Sequence, residues 1–540
     1  MIQASNIPVS LDALLPENET LFRREVARAL GVAAGQMESV RLLKRSIDAR
    51  KKTNVHGVVT VAVALVKGAT LTPRKGVTVK PYEPTAPLTV PQVEAPALRP
   101  VVVGMGPAGL FCALYLARAG LRPLVVERGA DVDARTRAVD AFAEGGPLDA
   151  VTNIQFGEGG AGTFSDGKLG TGIKSPHIRH VLEAFVEAGA PEDILVDAKP
   201  HIGTDLLVGV VRHLREAIQE AGGEVRFLTR LIDVEVEDGA VVGAVLKDER
   251  TGATETVATN RIVLACGHSA RDTFQLVQEV GVALERKPFA VGVRIEHPQA
   301  LINRAQYGPS AAHPALGAAD YKLAVKTHDG RGVYTFCMCP GGEVVAAASE
   351  AGGVCVNGMS RHARAGKNAN SALLVEVRPD DLPGSDPLEG VAFQRQWEHA
   401  AFDLGGFSYL APAQTVGEFR AGKAGAASTE VEPTYPRGVV WADLHQCLPP
   451  FVTDALEEAF PLLDRKLAGF AHPQAVMTGV EARSSSPVRL VRDERFQTNI
   501  AGLYPCGEGG GYAGGITSAA VDGLRVAEAI VGECQKGEAR

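Results

Sequence analysis

The sequence predicts an α/β protein: a Rossmann-like dinucleotide-binding domain, interrupted by a β-rich insertion and preceded by a small α+β domain. Three observations carry that expectation. A strand, a glycine turn and a helix begin at Arg99. A proline-rich stretch separates them from a differently patterned N-terminal segment. Strand-like apolar runs fill the region after Phe289, before a second glycine loop and a final helix.

The N-terminal segment, residues 1–80, alternates a short apolar run (Ile7 to Leu11), an amphipathic stretch (Thr20 to Leu30) and two β-like runs (Val40 to Leu43, Val55 to Leu65). It reads as a small α+β domain, with a ferredoxin-like arrangement as one option. Residues 81–98 hold Pro81, Pro84, Pro87, Pro91 and Pro96, the composition of a semi-rigid extended linker. Residues 99–288 follow as the first part of the dinucleotide domain. His201 to Ala221 is expected to be helical, Glu224 to Leu246 a strand pair turned at Asp238-Gly239, and Arg261 to Ala265 a buried strand. Residues 289–475 are assigned to the β-rich insertion and 476–540 to the returning C-terminal part of the dinucleotide domain.

A chain of 540 residues exceeds what one core supports. Its composition is globular apart from 60 glycines, which gather at 104–109, 157–172, 341–358 and 505–515, where backbone could approach a ligand closely. A net charge of −8 without blocks of like charge argues against a polyanionic partner, so nucleic acid is not expected. Pro16, Glu17 and Glu19 stand where a secretory signal would be basic and then apolar, and no apolar span reaches membrane length. A soluble, cytoplasmic protein with no membrane partner is therefore expected. Eight scattered cysteines lack CxxC spacing, so neither a metal site nor a disulfide framework is expected. The sequence is silent on oligomeric state.

The strand ending at Val103 runs into Gly104-Met-Gly106-Pro107-Ala108-Gly109 and a helix, and the next strand ends at Glu127-Arg128. Gly104 permits the tight turn, Gly106 lets backbone meet a pyrophosphate and Gly109 allows close helix–strand packing. The helix N-terminus offers amides to phosphate, and an acid about twenty residues on accepts from ribose. NAD and FAD share this half, so both stay open at this point. Two later segments distinguish them: Arg261 to Asp272 through Gly267, and Gly502 to Gly523 through Gly507, Glu508, Gly514, Gly515 and Ile516.

With these segments the chain resembles the glutathione-reductase-like FAD superfamily. Over essentially all 540 residues it is similar to the NAD(P)/FAD-dependent oxidoreductase (FAD-dependent dehydrogenase) family with an extra N-terminal domain. The likeness also rests on Phe156 to Leu169, Phe336-Cys-Met-Cys-Pro-Gly-Gly342 and Thr478 to Arg489. It implies FAD as cofactor, Gly507 and Glu508 against the ribityl–pyrophosphate segment, and the loop 514–516 at the pyrimidine edge of the flavin. Where the superfamily usually has Asp, this chain has Glu508. A helix starting near Gly515 would favour the charge of reduced flavin. The loop 157–169 would cover the cofactor, with Gly160, Gly162 and Thr163 as contacts and Ser165, Asp166 and Lys168 supplying donors and charge.

Catalytic residues are not fixed by the sequence. Cys337 and Cys339, one residue apart, would share a face of a strand, either as a redox pair or as buried hydrophobes. His268 follows the second glycine turn. Arg294 with His297, and Arg483 and Arg489, are candidate substrate contacts. The basic run from Lys44 to Lys52 reads as a phosphate or RNA patch or as a solvated strand edge. The expected activity is hydride transfer between FAD and an organic small molecule, with NAD(P)H open as a transient reductant. An RNA-modifying flavoenzyme and a non-catalytic flavin-binding protein stay as alternatives.

Overall fold

Three-residue apolar runs with no polar alternation suit strands covered on both faces, and these runs build the centre of the molecule. The computed structural model describes residues 1–427 and 430–537. Its parallel five-stranded sheet has the order Leu503–Pro505, Ile262–Leu264, Val101–Val103, Leu124–Val126, Glu224–Arg226. One face packs against the helices Pro107–Arg118, Thr204–Glu220 and Ile516–Gln535. The other is covered by an antiparallel meander, Thr229–Glu237, Ala240–Asp248 and Thr254–Ala258, turned at Asp238-Gly239. The glycine turn leaves the central strand, so a ligand belongs outside the carboxyl ends of this sheet.

The insertion forms a seven-stranded, mostly antiparallel sheet around Phe289–Pro298 and Asn368–Val377. The helices Glu389–Leu404 and Pro450–Lys466 bury their apolar sides in its core. The strand Val476–Glu481, which the sequence reading assigned to the returning dinucleotide segment, is hydrogen-bonded between Phe289–Pro298 and Ala411–Thr415. The insertion therefore ends after Glu481 rather than at 475. A run of six buried residues looks alike in either sheet; only its partners differ. The chain enters and leaves the insertion through one short antiparallel pair, Leu284–Arg286 with Val488–Leu490.

At the N-terminus, Ile2–Val9, Met37–Asp48, His56–Leu65 and Thr78–Pro81 make an antiparallel sheet, with the helix Glu19–Leu30 packed on it. The strand order is that of a ferredoxin-like sheet, but residues 66–77 carry no helix, so the second crossover helix of that fold is missing. Residues 82–98 have no regular structure, yet Leu88, Val90 and Val93 pack on the helical layer and the Val93 amide donates to Ala119. The linker is thus tied down over residues 88–93. Among the described residues no helix is long and apolar enough to cross a membrane.

Candidate functional site

A cavity of about 1220 Å³ opens at the carboxyl ends of the parallel strands. It runs from the glycine turn past Gly267 and Glu508 to Thr335–Met338 of the insertion, and on to Arg45–Lys52 of the N-terminal domain. Small-ligand pockets span roughly 300–1,000 Å³. This one has room for a dinucleotide and a second molecule.

The three glycines of the first turn do different work. Gly104 has φ +100°, and a Cβ there would meet Ala265 O at 2.5 Å. A Cβ on Gly109 would lie 1.9 Å from Gly104 O, so this residue sets helix–strand packing and does not line the cavity. A Cβ on Gly106 would meet nothing closer than 3.9 Å, because that side of the residue faces open space. The helices Pro107–Arg118 and Ile516–Gln535 are N-capped by Gly106 and Gly515 without any side-chain cap. Their first amides therefore need an outside acceptor. Added Cβ atoms on Gly267, Gly514 and Gly515 would also project into empty space. Two uncapped helix starts and four open glycines on one cavity fit a long ligand carrying phosphates, which is what FAD presents.

Several predicted contacts line this cavity: Gly104, Gly106, Pro107, Ala108, Glu127, Arg128, Gly160, Gly162, Gly267, Glu508, Gly514, Gly515 and Ile516. Three do not. Gly507 packs on Ala108, its Cβ position 2.6 Å away, and its amide donates to Asp522 at 2.8 Å. Thr163 is buried beneath the loop, and Gly109 packs as described. The Glu127 carboxylate accepts from the Met105, Gly129 and Gly157 amides, each at 2.9 Å. That leaves one acceptor direction, on Oε2, for a ribose hydroxyl. Arg128 donates to Asp272 at 2.7 Å and lies over the Phe156 ring. In the loop, Ser165 and Lys168 reach the cavity, while Asp166 is fully buried and held by Arg364.

Glu508 accepts from the Gly515 amide, stapling the last glycine loop. Burial pushes its carboxyl up to about 7, against the pull of Lys287. His268 Nε2 lies 3.9 Å from Glu508. Burial, aided by Arg483, Arg271 and Lys287, holds this histidine down to about 4 and so neutral. Glu481, absent from the sequence-level candidates, also lines the cavity and is pushed up to about 7 by burial, against Arg294. Its only advance signal was its place within the Thr478 to Arg489 motif.

The arginine candidates need correction. Arg294 is fully buried behind the wall, bidentate to Glu481 at 2.7 and 3.0 Å, with Nη1 2.9 Å from Cys337 O. It cannot contact a substrate. His297 is likewise enclosed, bonded to Phe470 O. Arg489 lies off the cavity, near Glu285 and Tyr512. Arg483 does line the cavity, but its guanidinium is committed to Glu398 at 2.8 and 2.7 Å. Arg271 grips the same carboxylate at 3.0 and 2.7 Å, so Glu398 bolts the parallel-sheet domain to the insertion. Cys337 lines the cavity and Cys339 does not. The strand carrying them slips register between Phe336 and Cys339, so simple alternation does not set their directions.

The basic run at 44–52 turns one side to the cavity, where Arg45, Arg50 and Lys52 lie along its rim, while Lys44 and Lys51 are exposed away from it. Arg45 pairs with Asp197 at 2.7 Å, and its backbone bonds Val196 O and the Ala198 amide, while Lys52 bonds Gln306 O. A composition-level reading missed that this run forms a wall of the cavity, because its partners lie in other domains.

Comparison with known proteins matches residues 98–287 to pyridine nucleotide-disulphide oxidoreductase, residues 288–484 to the FAD-dependent protein, C-terminal domain-like family, and residues 1–64 to a domain of unknown function. The chain is 46% identical over 535 residues to an uncharacterized protein of Clostridium beijerinckii, covering 98% of both. It is 30% identical over 193 residues to aklavinone 12-hydroxylase DnrF of Streptomyces peucetius, covering 33% of this chain and 36% of the hydroxylase. Among solved structures, glycerol-3-phosphate dehydrogenase from Bacillus halodurans complexed with FAD aligns at TM-score 0.35 and 14% identity, over 82% of this chain and 65% of that one.

Proposed function

This chain belongs to the FAD-dependent oxidoreductase family that carries an extra N-terminal domain, and on that premise we propose that it moves hydride between FAD and an anionic organic molecule. The observation that carries the reading is the single cavity joining the glycine turn to walls from all three domains. Bound FAD supplies a two-electron acceptor and donor at that place.

The chain's own residues divide the remaining work. The amides of the two glycine-capped helices bind phosphate and stabilise negative charge on the ring. The loop 160–168 and the strand end at Thr335–Met338 shield the centre from water. Glu508, held near 7 by burial, is placed to take or give a proton at its carboxyl oxygens, and neutral His268 accepts beside it, while Glu481 stays in its pair with Arg294. Cavity-lining Lys and Arg outnumber Asp and Glu two to one in a chain whose overall charge is negative. Most of these cations are already paired, Arg45 with Asp197, Arg128 and Arg230 with Asp272, Arg364 with Asp166, Arg483 with Glu398 and Lys199 with Asp320; Lys52 and Lys322, at the far end, suit a carboxylate or phosphate on the substrate.

The test is to identify the flavin extracted from purified protein, then to follow its absorbance anaerobically while NAD(P)H and anionic and neutral donors and acceptors are added. Turnover faster with anionic than with matched neutral substrates, and weakened by salt, is expected. Preference for neutral substrates would overturn the substrate class, and protein that cannot be loaded with FAD would overturn the whole reading.

A further inference from the structure

Of the two cysteines that line the cavity, Cys266 has its thiol pushed up to about 11 by burial, and Cys337, with Cys339 behind it, does not. Cys112, Cys355, Cys447 and Cys506 are enclosed in cores, where burial pushes their thiols up. Cys337 instead sits in the cavity wall at φ +43°, a left-handed conformation that a non-glycine residue adopts only when its surroundings impose it. Two features impose it here. The strand Gly332–Cys339 slips register against Asn368–Val377 between Phe336 and Cys339. The buried Arg294 guanidinium clamps the Cys337 carbonyl at 2.9 Å and is itself locked by Glu481. The bulge turns Cys337 to the cavity and leaves Cys339 just behind it, with Sγ 3.2 Å from Cys337 O and 3.9 Å from Arg294 Nη1.

We propose that Cys337 and Cys339 are a redox-active dithiol that stores an electron pair beside the flavin. This rests on the reading of the cavity as the flavin site. The two thiols are chemically unequal, as a working pair requires. The Cys339 hydrogen bond holds the Cys337 thiol below its ordinary range against the effect of burial, with help from Lys168 and Arg294, while Asp166 opposes. Cys337 lines the same cavity as Glu481 and as Glu508 of the last glycine loop. The same hydrogen bond, together with burial, holds Cys339 in its protonated form. Cys337 is then the attacking sulfur and Cys339 the resolving one.

The balance closes without another reagent. As the S–S bond forms, the two thiols lose two protons and two electrons. The electron pair and one proton pass to oxidised flavin, and the second proton leaves to solvent. In reverse, the pair held on reduced flavin cleaves the disulfide and both thiols are restored.

The experiment is an anaerobic dithionite titration of the air-oxidised, FAD-loaded, full-length protein, with samples quenched in denaturant and N-ethylmaleimide for mass spectrometry. Full reduction is expected to consume two electron pairs per flavin. The peptide holding Cys337 and Cys339 should be unlabelled before the titration and doubly labelled after it. Cys337→Ser and Cys339→Ser should each lower the demand to one pair. Wild-type protein that takes one pair per flavin, with both cysteines labelled in the oxidised state, overturns the proposal. That result needs no variant, so a variant that fails to fold does not shelter the idea. Failure of the flavin site itself is told apart by the absence of flavin absorbance at the start.

Discussion

Replacing Glu398 by Gln removes the buried charge that both Arg271 and Arg483 grip in the domain interface, leaving them the partly exposed Glu350, 2.5 Å from Arg271 and 3.9 Å from Arg483. The Glu398 side chain is 1% exposed. Burial pushes its carboxyl up, but the two guanidiniums overcome that and hold it at about 2, against an ordinary 4.5. At about 1.4 kcal/mol for each tenfold in the proton equilibrium, this corresponds to about 3 kcal/mol in favour of the folded form above pH 4.5. Breaking a buried pair by deleting one partner costs about 3–5 kcal/mol, so the two routes agree. With roughly 2–4 °C of melting temperature per kcal/mol for a unit of about 200 residues, Glu398→Gln should melt roughly 6–12 °C below wild type at pH 7. Because the folded-state value is depressed, the stabilisation is lost as pH falls from 4.5 towards 2, and the gap between the two proteins should close over that window. Calorimetry of both proteins at pH 7, 5 and 3.5 reads this out. A gap under about 1 °C at pH 7, or one that stays constant with pH, refutes the reasoning.

Gly106→Ala should fold normally yet lose at least about tenfold in FAD affinity, since its Cβ meets only the cavity, whereas Gly109→Ala should fail to fold because its Cβ would strike Gly104 O; circular dichroism and flavin fluorescence separate the two. His268, neutral in the folded protein down to about 4, contributes stability above pH 6.5 that is lost as pH falls towards 4. Between pH 6.5 and 5 the melting temperature of His268→Asn should therefore depend less on pH than that of wild type. The half-exposed Arg45–Asp197 pair should show a coupling energy of only about 0.2–1 kcal/mol in a double-mutant cycle. Arg45→Ala should nevertheless speed proteolysis within residues 82–98, and an unchanged cleavage rate would refute a docking role.

The sheet that binds the cofactor was legible because its signals are local. Gly104, Gly106 and Gly109 act within one turn, and the acid at Glu127 follows from the length of one βαβ unit. What the sequence hid is set by partners far along the chain. The Glu127 carboxylate is largely spent on amides, one of them 30 residues away at Gly157. Arg294 reads as a free cation until Glu481, 187 residues later, is seen to neutralise it. The same holds for Glu398, which carried no sequence signal and whose partners are 127 and 85 residues distant. Val476–Glu481 was placed in the wrong domain because a fully buried strand names no sheet. The basic run at 44–52 was visible, but its direction was not, because that depends on how the first domain docks.

The paired crossings Leu284–Arg286 and Val488–Leu490 have a consequence for how such proteins diversify. Because entry and exit lie side by side and are hydrogen-bonded to each other, residues 287–487 hang from the nucleotide-binding sheet as a loop hangs from a hairpin. Their replacement need not alter the order of a single parallel strand. A foreign insertion grafted onto this stalk would keep the glycine loops at the strand ends and change what they meet, losing the Cys337–Cys339 pair, provided the graft supplies its own counterpart to Glu398. The stalk is a natural splice point for building chimeric oxidoreductases.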